Sequence, residues 1–339
     1  MTRHTIGRRE FLALAGAAGA AVVPAGRRAG AQSLEKVTLR LNAPGYGEHA
    51  PWAVGVEKKF FAEQGIDLTL REGQGSGNTV QVVASKADPI GYADTPTTMR
   101  AIAKGLPLRT VGVFQQLSPV AVIFLKEKGY KHPKDLEGAS IALTAGDSIH
   151  QVFPAFLKRN GADINKVRLL FMDVAAKSAA VVAGKADTMG GFYTTQAAQI
   201  ASVAKKETAW LRYADFGVNT ITQGILVNQD FLKERADLLR RFLKAAAQSW
   251  TYAAQNPKEA VQVLLKTFPA STFLAQPDQG FRQWEFHREL MQTKRSAGKA
   301  PGWVAREDVQ DTLDILGEYG GLSPKGKPED YVTNEYLPA

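Results

Sequence analysis

No cysteine occurs among the 339 residues, which excludes a disulfide framework, thiolate metal sites and a cysteine nucleophile. The formal charge of +9 comes without a long Lys/Arg run and without basic residues interleaved with aromatics, so no nucleic-acid partner is expected. The five histidines, His4, His49, His132, His150 and His287, lack the spacing of a metal cluster, and neither a metal nor a cofactor is expected. There is no Gly-x-Ser-x-Gly elbow, and Asp147, Ser148 and His150 crowd one turn too tightly for a nucleophilic triad. Long hydrophobic runs are also missing. The apolar stretch at residues 11–23 has thirteen positions against the ~20 that span a bilayer, so no stable membrane insertion of the mature chain is expected.

That stretch has another reading. Arg3, Arg8 and Arg9 precede it, Gly7-Arg8-Arg9-Glu10-Phe11-Leu12 is a paired-arginine motif, and Ala29-Gly30-Ala31 offers small residues to a signal peptidase. Residues 1–31 therefore read as a signal peptide resembling the twin-arginine type, with an ordinary Sec signal as the alternative. Cleavage near Ala31 would leave a mature chain of charge +5 in the periplasm.

The remainder is long enough for two lobes, and its composition, 45% apolar and 22% charged, suits a folded soluble chain. Residues 37–41 alternate like a strand, and 51–64 carry Trp52, Val56, Phe60 and Phe61 at helical spacing with Gly65 as C-cap. Strands at 66–70, 90–93 and 108–114 with helices at 78–86 and 95–104 continue the alternation, which reads as a parallel, doubly wound α/β sheet. A second series over 140–203 reads as another α/β lobe. A strand at 221–227 and helices at 231–255, 257–266, 276–293 and 304–319 follow.

In such sheets ligands bind beyond the carboxyl ends of the strands, where helix N-termini present N–H groups. That rule selects the segment 42–52, whose Asn42, Tyr46, His49 and Trp52 offer hydrogen bonding and aromatic walls, with core packing as the competing role for the two aromatics. It selects the loop 73–79, where Ser76, Gly77 and Asn78 read as a cradle for an anion or polar head, or as a simple capped turn. Asp94 is either a helix cap or a partner for a ligand amino group. From the second lobe come Ser148 and His150, and Phe192 or Tyr193 as a wall, with Gln115 and Gln223 as weaker candidates.

With these residues in view, the chain resembles the nitrate, sulfonate, taurine and thiamine-precursor family of periplasmic substrate-binding proteins. The carriers are His49-Ala50-Pro51-Trp52, residues 59–68, Gly75-Ser76-Gly77, Tyr92-Ala93-Asp94, residues 101–108 and Gly146-Asp147-Ser148-Ile149-His150. The resemblance implies a type II periplasmic-binding-protein fold, two α/β lobes joined by a two-crossing hinge near 116–119 and 219–222. Lobe 1 would take residues 33–118 and 222–339, and lobe 2 residues 119–221. It implies a non-catalytic monomer that captures a small organic ligand, an aromatic or sulfonate/carboxylate anion, and passes it to an ABC importer permease. An aminopyrimidine thiamine precursor is the alternative ligand, and a sensor receptor an alternative role. Some relatives of the pyrimidine branch are synthases with a cofactor-linked lysine and a cysteine-rich iron site, which this cysteine-free chain does not match.

Overall fold

Strand β1 (Glu35–Arg40) buries Val37 and Leu39 and turns alternate residues outward, the period-two pattern of a half-covered strand. The computed structural model describes residues 33–145, 148–271, 274 and 278–338, without the side chains of Ser148, Val174 and Ala175. Residues 1–31, read above as a signal peptide, and the turn residues Gly146 and Asp147 lie outside the described residues.

Strand and helix then alternate. Helices α1 (Ala50–Glu57) and α2 (Phe60–Glu63) lead to β2 (Ile66–Arg71), α3 (Ser76–Ala84) to β3 (Ile90–Asp94), and α4 (Thr95–Ala103) to β4 (Leu108–Val113). β1 lies parallel to β2, from Glu35 opposite Ile66 to Arg40 opposite Arg71, and parallel to β3. Where the spacing predicts a single helix over 51–64, Lys59 at φ 63° divides it. A left-handed residue cannot continue a right-handed helix, so the next turn is re-aimed. Phe61 then enters the core while Phe60 lies edge-on to Tyr252.

The second sheet comprises β5 (Val120–Leu125), β6 (Ser140–Leu143), β7 (Arg168–Phe171), β8 (Thr188–Phe192) and β9 (Thr208–Arg212). Helices α5 (Ser148–Lys158), α6 (Val174–Val182) and α7 (Ala198–Ala204) connect its strands. Strand β10 (Gln223–Asn228) returns to the first sheet, so the two orders are β2-β1-β3-β10-β4 and β7-β6-β8-β5-β9. Both sheets are mixed rather than wholly parallel: β10 runs antiparallel to β3 and β4, and β5 antiparallel to β8 and β9. A strand arriving directly from the other lobe enters its sheet from the opposite end, with no crossover helix to restore its direction. β5 escapes the sequence pattern because it is buried along its whole length and shows no alternation.

The carboxyl-terminal part is helical, with α8 (Gln229–Glu234), α9 (Ala236–Gln255), α10 (Pro257–Thr267), α11 (Gln279–Glu289) and α12 (Arg306–Glu318). Most of it covers the first sheet, but Leu290 and Ile315 join the apolar clusters of the second. The two crossings run side by side. Thr222 gives both its backbone N–H and its hydroxyl to the Gln115 carbonyl, each at 3.0 Å. Asn219 accepts from Ser118 N and donates to the Gln116 carbonyl, both at 2.9 Å.

Trp52, assigned from its position to a ligand wall, lies instead in the first core with no exposed surface. Its ring centre is 5.2 Å from Tyr92, 5.4 Å from Phe114 and 5.7 Å from Trp250. Pro51 and Trp52 already belong to α1, whose buried face meets α9, so the side chain points at helix rather than cleft. Trp52→Ala is expected to cost about 3–5 kcal/mol of stability in chemical denaturation, the usual range for an aromatic removed from a packed core.

Candidate functional site

A cavity lies between the lobes, lined by the turn after β1, the end of β3, the start of α4, both crossings, the end of β8 and α11. It leaves about 80 Å³ for the centres of water-sized atoms, several times the ~10–15 Å³ that holds one water. Tyr46 and Asp94 face it from the first lobe, Phe192 from the second, and Gln115 and Gln223 from the crossings. Glu48, Arg100, Thr194 and His287 line it as well.

Asp94 ends β3 and caps α4, accepting from Thr97 N at 2.9 Å and from the Thr97 hydroxyl at 2.6 Å. Burial pushes its carboxyl up, against the Thr97 hydrogen bonds and the nearby Arg100 charge, which pull it down. Arg100, on α4, reaches across to the second lobe and donates to Gln151 Oε1 at 2.9 Å. Ser76 does not face the cavity. Its hydroxyl accepts from Asp94 N at 3.0 Å and so holds the end of β3.

The glycine loop does not line this cavity. Gly73 N donates to the Ala43 carbonyl and Gly75 N to the Asn42 carbonyl, at 3.2 and 2.7 Å. A side chain at Gly73 would strike the Leu41 carbonyl, so this close approach requires glycine. Gly77 and Asn78 sit exposed and off the cavity wall.

The turn after β1 carries a directional network. Tyr46 N donates to His49 Nδ1 at 3.4 Å, leaving His49 Nε2–H to donate to Asn42 Oδ1 at 2.7 Å. Asn42 Nδ2 is thereby aimed at Glu48 Oε1 and the Tyr46 hydroxyl, both at 3.3 Å. Asn42 and His49 are buried supports of the wall rather than part of it. On α11, His287 Nδ1 meets Gln115 Oε1 at 3.0 Å and lies 3.5 Å from Glu48 Oε2. Burial holds both imidazoles neutral, lowered from 6.5 to about 3, and His49 is lowered further by His287. Burial raises Glu48 from 4.5 to about 8, against hydrogen bonds from Tyr46 and Asn42.

Tyr193 turns away from its neighbour Phe192. It is buried against Trp210, ring centres 5.1 Å apart, and against Phe286, because residues 193–197 form a wide helical turn that faces the second core. His150 packs edge-on to Phe171 at 5.0 Å and does not line the cavity. The Ser148 side chain lies outside the described residues. Glu48, Arg100 and His287 are among the lining residues that sequence reasoning missed. Glu48 stands inside the selected segment 42–52 and was legible there as its one acid. His287 comes from a helix 239 positions away from Glu48 in sequence, and nothing local marks it.

Among the described residues, Gln115 Nε2, Gln223 Oε1 and His287 Nε2 are buried without a protein hydrogen-bond partner. All three residues line the cavity. Leaving such atoms unmet costs about 1–3 kcal/mol each, a cost that a ligand with matching groups removes.

A family described as NMT1/THI5 like matches residues 47–260. The formylaminopyrimidine-binding protein of Halalkalibacterium halodurans is 26% identical over 71% of this chain and 73% of its own length. A 4-amino-5-hydroxymethyl-2-methylpyrimidine phosphate synthase of Saccharomyces cerevisiae, THI12, is 25% identical over 90% of this chain and 88% of its own. Among solved structures, the periplasmic aliphatic sulphonate binding protein SsuA from Escherichia coli has a TM-score of 0.67 at 16% identity, covering 88% of this chain and 91% of that one. At that identity the likeness concerns the fold, which is the periplasmic-binding-protein fold.

The ionisation of Glu48 has a measurable consequence without ligand. Between pH 4.5 and about 8 the folded protein keeps a proton that the unfolded chain releases. Stability from this group is therefore full at low pH and lost as pH rises toward 8. His49 and His287 act in the opposite sense below pH 6.5, so the interval from about 6.5 to 8 isolates the carboxyl. The melting temperature of the wild type is expected to fall across that interval, and that of Glu48→Gln to stay nearly level. Equal slopes in the two proteins would assign the titration to another group.

Proposed function

The chain belongs to the NMT1/THI5-like family, and on that premise we propose that it is an extracytoplasmic solute-binding protein that holds a small planar nitrogen heterocycle between its lobes for an ABC importer. The observation that carries this reading is the mixed polarity of the cavity's unmet atoms. Gln115 Nε2 is a donor, Gln223 Oε1 an acceptor, and His287 Nε2 an acceptor once Nδ1–H serves Gln115. An aminopyrimidine, with exocyclic N–H donors beside ring-nitrogen acceptors, satisfies such a set. A sulfonate offers acceptors only. It would also face Asp94.

Tyr46 and Phe192 supply aromatic surface from opposite lobes, and the cavity volume suits one ring. The name of the Halalkalibacterium halodurans relative points the same way. An anionic ligand, aromatic carboxylate or sulfonate, is the second reading, and it rests on Arg100, the cation on the wall. The synthase relative raises turnover as a rival. Against it stand the absence of cysteine and the use of the turn histidine, His49, as an internal hydrogen-bond relay rather than a cavity group. The leader at residues 1–31 would carry the protein to the periplasm, where a permease would receive the ligand.

In a thermal-shift titration, 4-amino-5-hydroxymethyl-2-methylpyrimidine and its formylamino analogue are expected to stabilise the protein and be recovered unchanged, whereas taurine and alkanesulfonates leave it unmoved. Saturation at a hundred times Kd corresponds to about 2.7 kcal/mol. Phe192, 43% exposed, can be removed with little effect on folding. Phe192→Ala is expected to lower affinity by one to two orders of magnitude, as a stacking contact of about 1–3 kcal/mol requires. A shift by sulfonates alone would transfer the reading to the anion, and conversion of the pyrimidine would make the protein an enzyme.

A further inference from the structure

Glu48 lies on the cavity wall yet is only 1% exposed. Among the described residues no Lys or Arg is paired with it. The groups that face it are Tyr46 and His49 from its own turn, Tyr92 and Asp94 from β3, and His287 from α11, with Arg100 on α4 engaged by Gln151. The two histidines are neutral, and burial pushes both tyrosine hydroxyls up, so they stay uncharged. Asp94 is a like charge that disfavours a second carboxylate.

The network also surrounds the carboxyl with donors. The relay through His49 and Asn42 delivers an N–H to Oε1 at 3.3 Å. Oε2 lies 3.5 Å from His287 Nδ1, whose hydrogen is directed to Gln115 at 3.0 Å. The Tyr46 hydroxyl, which accepts from Asn42, gives its own hydrogen to the carboxyl, so the acid hydrogen is left for the cavity that Glu48 lines.

We propose that Glu48 is the ligand-orienting acid of the cleft, its carboxyl donating a hydrogen bond to a ring nitrogen of the bound heterocycle. The inference rests on the heterocycle reading above and adds to it a selection rule. A ligand with an acceptor placed opposite the carboxyl, such as a ring nitrogen, is taken, and one that presents only a donor there is refused. Gln223 Oε1 then receives an exocyclic N–H, so that acid and amide together set the ring's orientation. Glu48 is a binding residue here, with no chemical step assigned to it.

The test is calorimetric titration of the purified protein with 4-amino-5-hydroxymethyl-2-methylpyrimidine from about pH 7 to about pH 9.5, for wild type and Glu48→Gln. Wild-type affinity is expected to be level up to about pH 8 and then to fall about tenfold per unit as the donor is lost. Glu48→Gln keeps a donor in the same place, with Asn42 still on the carbonyl oxygen, and is expected to bind within about tenfold of wild type and with no falling limb. Infrared difference spectra at neutral pH supply a second measurement, a protonated-carboxyl band present in the wild type and absent from the variant. Affinity that rises above pH 8, a falling limb retained by Glu48→Gln, or no such band would each overturn the proposal while leaving the heterocycle reading intact. No binding of the pyrimidine at any pH, with the band present, would overturn the heterocycle reading itself and the donor role with it. Were Glu48→Gln not to fold, the wild-type pH profile and band would still decide.

Discussion

The Gln115 carbonyl, which receives both the N–H and the hydroxyl of Thr222, joins the two places where the chain passes between its sheets. Everything about the cleft follows from those crossings running together. Because the chain leaves the first sheet after β4 and returns as β10, β10 must enter antiparallel between β3 and β4. The carboxyl ends of the parallel strands then face the second lobe, and the side chains of Gln115 and Gln223, one from each crossing, come to the same cavity. Crossings that are also part of the cavity wall make cavity shape and lobe geometry depend on the same residues.

Burial governs the chemistry of that wall. Glu48, His49 and His287 are removed from water to the same degree, yet the consequence differs in sign, since loss of solvent disfavours a carboxylate and an imidazolium alike. The outcome is a neutral acid beside neutral imidazoles. Such a group of dipoles without net charge recognises by hydrogen-bond direction rather than by Coulomb attraction. Direction is set by the relay that begins at Tyr46 N and ends at Glu48 Oε1. The exposed charge pairs across the surface, such as Lys126 with Glu207, contribute little by comparison.

Several residues were assigned to the site by loop position, and the structure separates them. Tyr46, Asp94 and Phe192 line the cavity, while Asn42, His49 and Ser76 stand one contact behind and hold the wall in place. Trp52 and Tyr193 are core residues. The difference lies in the first helical turn. A residue just inside a helix already follows the helix's buried face, whereas one just before it, like Asp94, still projects beyond the strand end.

Period and punctuation, read from the sequence, determined the α/β class, most strand and helix positions and the turns that bound a cleft, because backbone periodicity and glycine or proline preferences act over a few residues. The expectation of a fully parallel sheet and the oversight of β5 and β9 come from the same source: strand direction and two-sided burial are properties of neighbours distant in sequence. Only the tertiary structure decided which polar atoms meet in the cavity. Gln115, Gln223, His287 and Glu48 are brought together by packing of segments far apart in the chain. Burial, which sets the protonation of Glu48, has no meaning until those segments have closed around it.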